Sequence, residues 1–192
     1  QPQPNLTFNS EEIAEKKMTL DQVVKTITDA IVRRSEMKKN FGVIVIPEGL
    51  IEFIPEVKKL IAELNDLLAG KDDFATLGMD DKLQFVNKNI SAASAKVFSS
   101  LPMLIKSQLL MDRDPHGNVQ VSRIETDKLL IDLVGDALRE LKQAGKYKGK
   151  FSALSHFFGY EGRCASPSNF DADYCYGLGF NAAALIARGA HG

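Results

Sequence analysis

The sequence predicts an α/β fold, part of a three-layer domain with helices on both faces of a parallel sheet and a helical insertion. Three observations predict it. Residues 42–46, Gly-Val-Ile-Val-Ile, form a short run that is apolar on both faces, as a central parallel strand is. Three longer stretches carry apolar residues at three- and four-residue steps, the period of amphipathic helices. Their alternation gives the order helix, strand, helix, helical insert, helix, strand, helix, which points to a parallel sheet with crossover helices.

Residues 1–10 are polar and proline-bearing, an entry segment without a core face. Thr19 opens the first helix, with Gln22 as capping-box partner and Asp21 in the positive first turn. Leu20, Val23, Val24, Ile27, Ala30 and Ile31 form its buried stripe, and Lys38 and Lys39 suit its negative end. Pro47 ends the strand that follows, and Pro47-Glu48-Gly49 makes a turn. A second helix begins near Phe53 with Pro55 in its first turn. Its stripe is Ile54, Val57, Leu60, Ile61, Leu64 and Leu68, and Gly70 caps its end.

From Lys71 to about Met111, charged turns alternate with short apolar clusters, which predicts two or three short helices. Asn118–Arg123 is a short strand candidate. Thr126 caps a third long helix through Leu129, Leu130, Leu133, Val134, Ala137, Leu138 and Leu141, closed by Gly145. After a basic loop (Lys146, Lys148, Lys150), Phe151–Phe158 is the second strand candidate. A last helix runs from about Asp171 to Arg188. Gly177 and Gly179 weaken it, and close backbone packing explains them. The domain assignment is an incomplete α/β domain of residues 1–70 and 119–192, with 71–118 as a helical insertion. Two strands are too few for a free-standing parallel sheet, so the chain is expected to be a piece of something longer.

The chain has 192 residues, 44% hydrophobic and 26% charged, with a formal net charge of −1. That balance argues against nucleic acid or an anionic membrane as the main partner, since both require a basic face. No apolar run approaches the ~20 residues of a membrane span, and no basic-then-apolar leader is visible. The two cysteines, Cys164 and Cys175, suggest a reducing, cytoplasmic setting without a disulfide framework. His116, His156 and His191 have no zinc-site spacing.

The chemistry concentrates in two segments. Glu48 and the Tyr160–Arg163 segment each follow the C-terminal end of a predicted strand. In a parallel sheet those ends share one edge, so the two loops can line one ligand cleft. A carboxylate accepts from sugar hydroxyls, while a guanidinium fork and a phenol suit a phosphate, so the combination implies a sugar phosphate. The competing reading has Glu48 capping the next helix and Arg163 paired with Glu161 or Asp171. A calcium loop at Asp112–Asn118 fails because His116 and Arg123 occupy ligand positions. Ser155 and His156 are neighbours on a predicted strand and diverge to opposite faces, so they make no nucleophile pair.

Residues 40–57 (Asn-Phe-Gly-Val-Ile-Val-Ile-Pro-Glu-Gly-Leu-Ile-Glu-Phe-Ile-Pro-Glu-Val), 112–120 (Asp-Arg-Asp-Pro-His-Gly-Asn-Val-Gln) and 155–163 (Ser-His-Phe-Phe-Gly-Tyr-Glu-Gly-Arg) resemble the long-type pyrophosphate-dependent phosphofructokinases. The resemblance implies a phosphofructokinase-like fold. It also implies reversible phosphoryl transfer from pyrophosphate to the 1-hydroxyl of fructose 6-phosphate, with Mg2+. The implied substrate-binding residues are Glu48, which holds fructose hydroxyls, and Tyr160 and Arg163, which bind the sugar phosphate. Glu161 and Gly162 contribute through shape and backbone. The family's pyrophosphate segment, its catalytic aspartate and its Met-Gly-Arg segment do not occur in these residues. No catalytic residue or metal ligand is therefore assigned, and the segment alone is expected to be inactive. The resemblance further implies a homo-oligomer, a dimer in the parent enzyme. The alternative is a non-catalytic regulatory subunit of the same lineage, binding sugar phosphate and a partner chain. A third reading makes the insertion an interaction module.

Overall fold

The structure, a computed structural model, describes residues 4–69, 71, 73–110, 118, 119 and 124–189. They fall into two compact units, Gln1–Leu154 and Ser155–Gly192.

The first unit is mostly helical, with one small parallel sheet. Strand β1 (Leu6–Thr7) pairs with β2 (Ile44–Val45) in the register Leu6↔Ile44 and Thr7↔Val45. The Asn5 N–H donates to the Val43 carbonyl at 2.8 Å, and the Phe8 N–H to the Val45 carbonyl at 3.0 Å. Residues 1–10 therefore correct their expectation. Leu6 packs on the core and Phe8 is buried, so this segment supplies a strand instead of only an entry. The run at 42–46 does form a parallel strand, but a short one with exposed side chains beside a single partner. Among the described residues it is not the middle of a sheet.

Helix α1 (Ser10–Glu15) is capped by Asn9, whose Oδ1 accepts from the Glu11 N–H at 2.9 Å. Helix α2 (Leu20–Glu36) has the predicted capping box. Thr19 Oγ1 accepts from the Gln22 N–H at 3.2 Å, and Gln22 Oε1 accepts from the Thr19 N–H at 2.9 Å. A 3-10 turn (Leu50–Phe53) leads into α3 (Pro55–Leu68), with Pro55 in the first turn, where a missing N–H costs nothing. Ile54, Val57, Leu60, Ile61, Leu64 and Leu68 are all buried, as the stripe predicts. Gly70, the expected cap, lies outside the described residues.

The insertion holds four short helices among the described residues: α4 (Asp73–Thr76), α5 (Met79–Asn89), α6 (Ala92–Ser100) and α7 (Met103–Leu109). Gly78, Ser91 and Pro102 break what the apolar pattern alone leaves as two or three. Phe74, Val86, Phe98, Ile105 and Leu109 belong to the same buried cluster as α2 and α3, and α6 packs along α3. The apolar clusters of the insertion thus turn inward for the most part, with Met103 and Leu104 left exposed. Residues 112–117 of the rejected calcium loop and residues 120–123 of the strand candidate lie outside the described residues.

Helix α8 (Thr126–Gln143) packs against α2. Its cap position is Glu125, without a side-chain cap bond; Thr126, the expected cap, is the buried first helical residue. Gly145, at φ +73°, ends the segment as predicted, in a conformation that a side chain would strain. Tyr147 is buried, which pushes its hydroxyl pKa up. Phe151 lies against Gly135 of α8. Beyond it the predicted strand Phe151–Phe158 is absent: residues 152–158 are irregular and exposed. An apolar run becomes a strand only where a neighbouring backbone pairs with it, and among the described residues none does so.

Three polar side chains of α3 reach remote backbone. Glu56 Oε1 accepts from the Leu20 N–H at 2.8 Å, Glu63 Oε2 from the Ser91 N–H at 2.9 Å, and Asn65 Oδ1 from the Val119 N–H at 2.8 Å. Glu63 also takes the Ser91 hydroxyl at 2.8 Å. Among the described residues no helix is long and apolar enough to cross a membrane.

Leu60 is fully buried, so Leu60→Ala should destabilise the chain by about 2–5 kcal/mol in urea unfolding. The Ser91 N–H is the largest cause of the lowered Glu63 pKa, which burial opposes only in part. A depressed carboxylate adds stability above its unfolded pKa and loses it as pH falls through the folded one. Glu63→Gln should therefore cost about 1 kcal/mol near neutral pH. The gap to the parent chain should close as pH drops below about 4.3. Urea midpoints measured across that range check both statements.

Candidate functional site

Glu48 stands just past the C-terminal end of β2, as the sequence places it. The Leu50 N–H donates to the Pro47 carbonyl at 3.1 Å, closing the Pro47-Glu48-Gly49 turn. The Thr126 hydroxyl, at the start of α8, donates to the Glu48 carbonyl at 3.4 Å. The backbone of Glu48 is thus tied from the far side of the sequence, while its side chain is exposed. The N-cap positions of the 3-10 turn and of α3 are Gly49 and Ile54, and neither makes a side-chain cap bond.

In the second unit, Gly159–Arg163 forms a short helix, α9. The expected turn behind a strand is corrected in both respects, since residues 151–158, which lead into it, form no strand. Gly159 decides the local path. Its φ is +35°, and a Cβ there would fall 2.6 Å from the Phe157 ring. The Gly162 N–H donates to the Phe158 carbonyl at 3.2 Å, and the Phe158 ring meets the His156 ring edge-on at 4.8 Å. Tyr160 lies within α9, and Glu161, Gly162 and Arg163 are exposed. The Arg163 guanidinium sits in the last turn, where a cation complements the helix dipole. It presents a planar donor set that can take a phosphate through two oxygens.

Helix α10 (Asn169–Ala187) begins two residues before the expected Asp171, because Ser168 caps it. Asp171 Oδ2 accepts from the Ser168 N–H at 2.8 Å and from its hydroxyl at 2.7 Å, and these bonds hold the Asp171 carboxyl below its usual pKa. The Ser-Asn-Phe-Asp spacing is visible in the sequence and marks this start. The structure does not show close packing at Gly177 and Gly179: a Cβ at either would meet nothing within 4 Å. Cys164 and Cys175 are exposed and unbridged. Among the described residues no group of three His, Cys, Asp or Glu could hold a metal ion.

No protein-family model matches the chain. A pyrophosphate–fructose 6-phosphate 1-phosphotransferase from Treponema pallidum is 52% identical to it over 188 residues, 97% of this chain. The chain is a relative of the pyrophosphate-dependent phosphofructokinases. The beta 1 subunit of the phosphotransferase from Arabidopsis thaliana is 50% identical over all of the chain, and an alpha 2 subunit from the same plant is 40% identical. The chain spans 33% of the length of the Treponema relative and 33% of the beta 1 subunit, about a third of each.

Gly159→Ala should cost about 1–2 kcal/mol locally, the penalty for a side chain in the left-handed region. Exchange of the Gly162 amide, measured by NMR, should speed up about ten-fold in this variant. An unchanged rate would mean that α9 does not depend on that glycine.

Proposed function

We propose that this chain is the sugar-phosphate-binding portion of a phosphotransferase that reversibly converts fructose 6-phosphate and pyrophosphate into fructose 1,6-bisphosphate and phosphate. The observation that carries this reading is identity of about one half, along the full chain, to proteins named for that reaction. The exposed Arg163 at the end of α9 supplies the chemistry a sugar phosphate needs.

In this reading Arg163 holds the 6-phosphate through a charge-assisted, two-pronged contact, and the Tyr160 phenol adds a directional donor. Glu161 and Gly162 shape the segment through their backbone. Glu48 accepts from fructose hydroxyls, and its tether to Thr126 keeps the turn in place. These groups bind and orient; none is proposed to move the phosphoryl group. The catalytic base and the pyrophosphate site belong to other sequence of the parent protein, so the 192-residue chain alone does not turn over. Mg2+ is the proposed metal of the parent protein. Its ligands are assigned to other sequence of the parent protein, as no group of three His, Cys, Asp or Glu gathers among the described residues.

The finer architecture belongs to the same proposal: the two-stranded parallel sheet is the edge of a three-layer α/β/α domain completed by other sequence. A cytoplasmic setting and a homodimeric parent protein complete the reading. The second reading, a regulatory subunit of the same lineage, has in its favour that several relatives are named as subunits. The chain is nearer to the beta subunit than to the alpha subunit, at 50% against 40% identity.

The test is Arg163→Ala in the full-length protein, with steady-state kinetics against fructose 6-phosphate. The variant should lose on the order of 1.5–3 kcal/mol in kcat/KM, the range for a hydrogen bond to a charged group. Kinetics equal to those of the unmodified protein would refute the role of Arg163.

A further inference from the structure

Glu48 follows a strand of only two residues, so its turn depends on ties from elsewhere in the chain. One such tie is the Thr126 hydroxyl, 3.4 Å from the Glu48 carbonyl. The same hydroxyl has the Ile124 carbonyl at 3.5 Å as its other acceptor. Both distances stand at the long end of a hydrogen bond, where a small displacement decides whether the bond is made. The hold on Glu48 is therefore only as good as the placement of Thr126, the first residue of α8.

Helix α8 has no side-chain cap of its own. Its N-cap residue, Glu125, is held instead by Gln108 of α7. The Glu125 N–H donates to Gln108 Oε1 at 3.2 Å, and Gln108 Nε2 donates to Glu125 Oε2 at 3.1 Å. Lys128 takes the other carboxylate oxygen, Oε1, at 2.5 Å. A carboxamide can donate and accept at once, and this pairing uses both. A carboxylate at the same place would meet Glu125 with like charge, and an alkyl chain would leave the Glu125 N–H without its partner. Gln108 is itself anchored, because Ile105 and Leu109 of the same helix are buried in the core cluster.

We propose that Gln108 is a positioning residue for the sugar site. By clasping Glu125 it fixes Thr126, and through the Thr126 hydroxyl it fixes the Glu48 turn. The proposal rests on reading Glu48 as the acceptor for fructose hydroxyls. Every link lies within the first unit, Gln1–Leu154. The clasp spans 17 residues and the tether 78, so no sequence motif joins Gln108 to Glu48. Gln108 acts only through where Glu48 stands.

Steady-state kinetics of the full-length protein test this chain of contacts. Gln108→Glu sets a carboxylate against that of Glu125, and the KM for fructose 6-phosphate should rise about three- to ten-fold, the range one hydrogen bond carries. The kcat and the KM for pyrophosphate should not move, as expected for a weakened contact that serves substrate and transition state alike. Adding Glu125→Gln returns a donor opposite an acceptor and should restore the KM. Thr126→Val removes the last link and should raise the KM in the same way, and combining it with Gln108→Glu should add nothing further. An unchanged KM in Gln108→Glu, no rescue by Glu125→Gln, or additive effects with Thr126→Val would each overturn the proposal. Glu48→Ala, run alongside, separates the two ways to fail. A raised KM there with none in Gln108→Glu overturns the positioning role alone, whereas an unchanged KM there refutes the reading of Glu48 and this proposal with it.

Discussion

A helix needs its first N–H groups satisfied, and a buried cluster leaves little water to do it. In this chain α3 meets that need for its neighbours. Its apolar stripe fills the core through Leu60 and Leu64, while Glu56 and Glu63 on its polar flanks reach the N-terminal ends of α2 and α6. Asn65 does the same for the Val119 N–H. The charge-assisted bonds from the two carboxylates are stronger than neutral ones, and each also complements the positive end of a helix. The helix therefore fixes the positions of its neighbours through direction as well as through burial, which a purely apolar face could not do.

This explains how a unit with so little sheet holds its shape. The two short strands contribute few backbone bonds, and β2 exposes both of its side chains. The order comes from α2 against α8 and from α6 against α3, with Phe98 and Ile105 of the insertion locked into the same cluster. Glu48 inherits its place from that assembly. The strand before it is weak, and the Thr126 hydroxyl from α8 holds the carbonyl at the head of the turn.

The long helices were legible because their information is local. The α2 capping box lies within four residues, and the stripes of α3 and α8 repeat within each turn. Strand identity is not local. Phe151–Phe158 has a strand's composition but no strand partner among the described residues, whereas Leu6–Thr7 has little signal and gains its state from β2. The ties from Glu56, Glu63 and Asn65 span 36, 28 and 54 residues, distances over which no periodicity can point. For the candidate site, the placement of Glu48 after a strand was readable. The helical form of Gly159–Arg163 was not, because it turns on a positive φ at one glycine that the motif does not announce.

The reach of Asn65 has a consequence during synthesis. A ribosome adds roughly 5–20 residues each second, and domains form as the chain emerges. Asn65 meets its main-chain donor only after 54 further residues have been translated. For those few seconds α3 can wrap its own turns, but its carboxamide must stay with solvent, and the partly built layer keeps apolar surface open to chaperones.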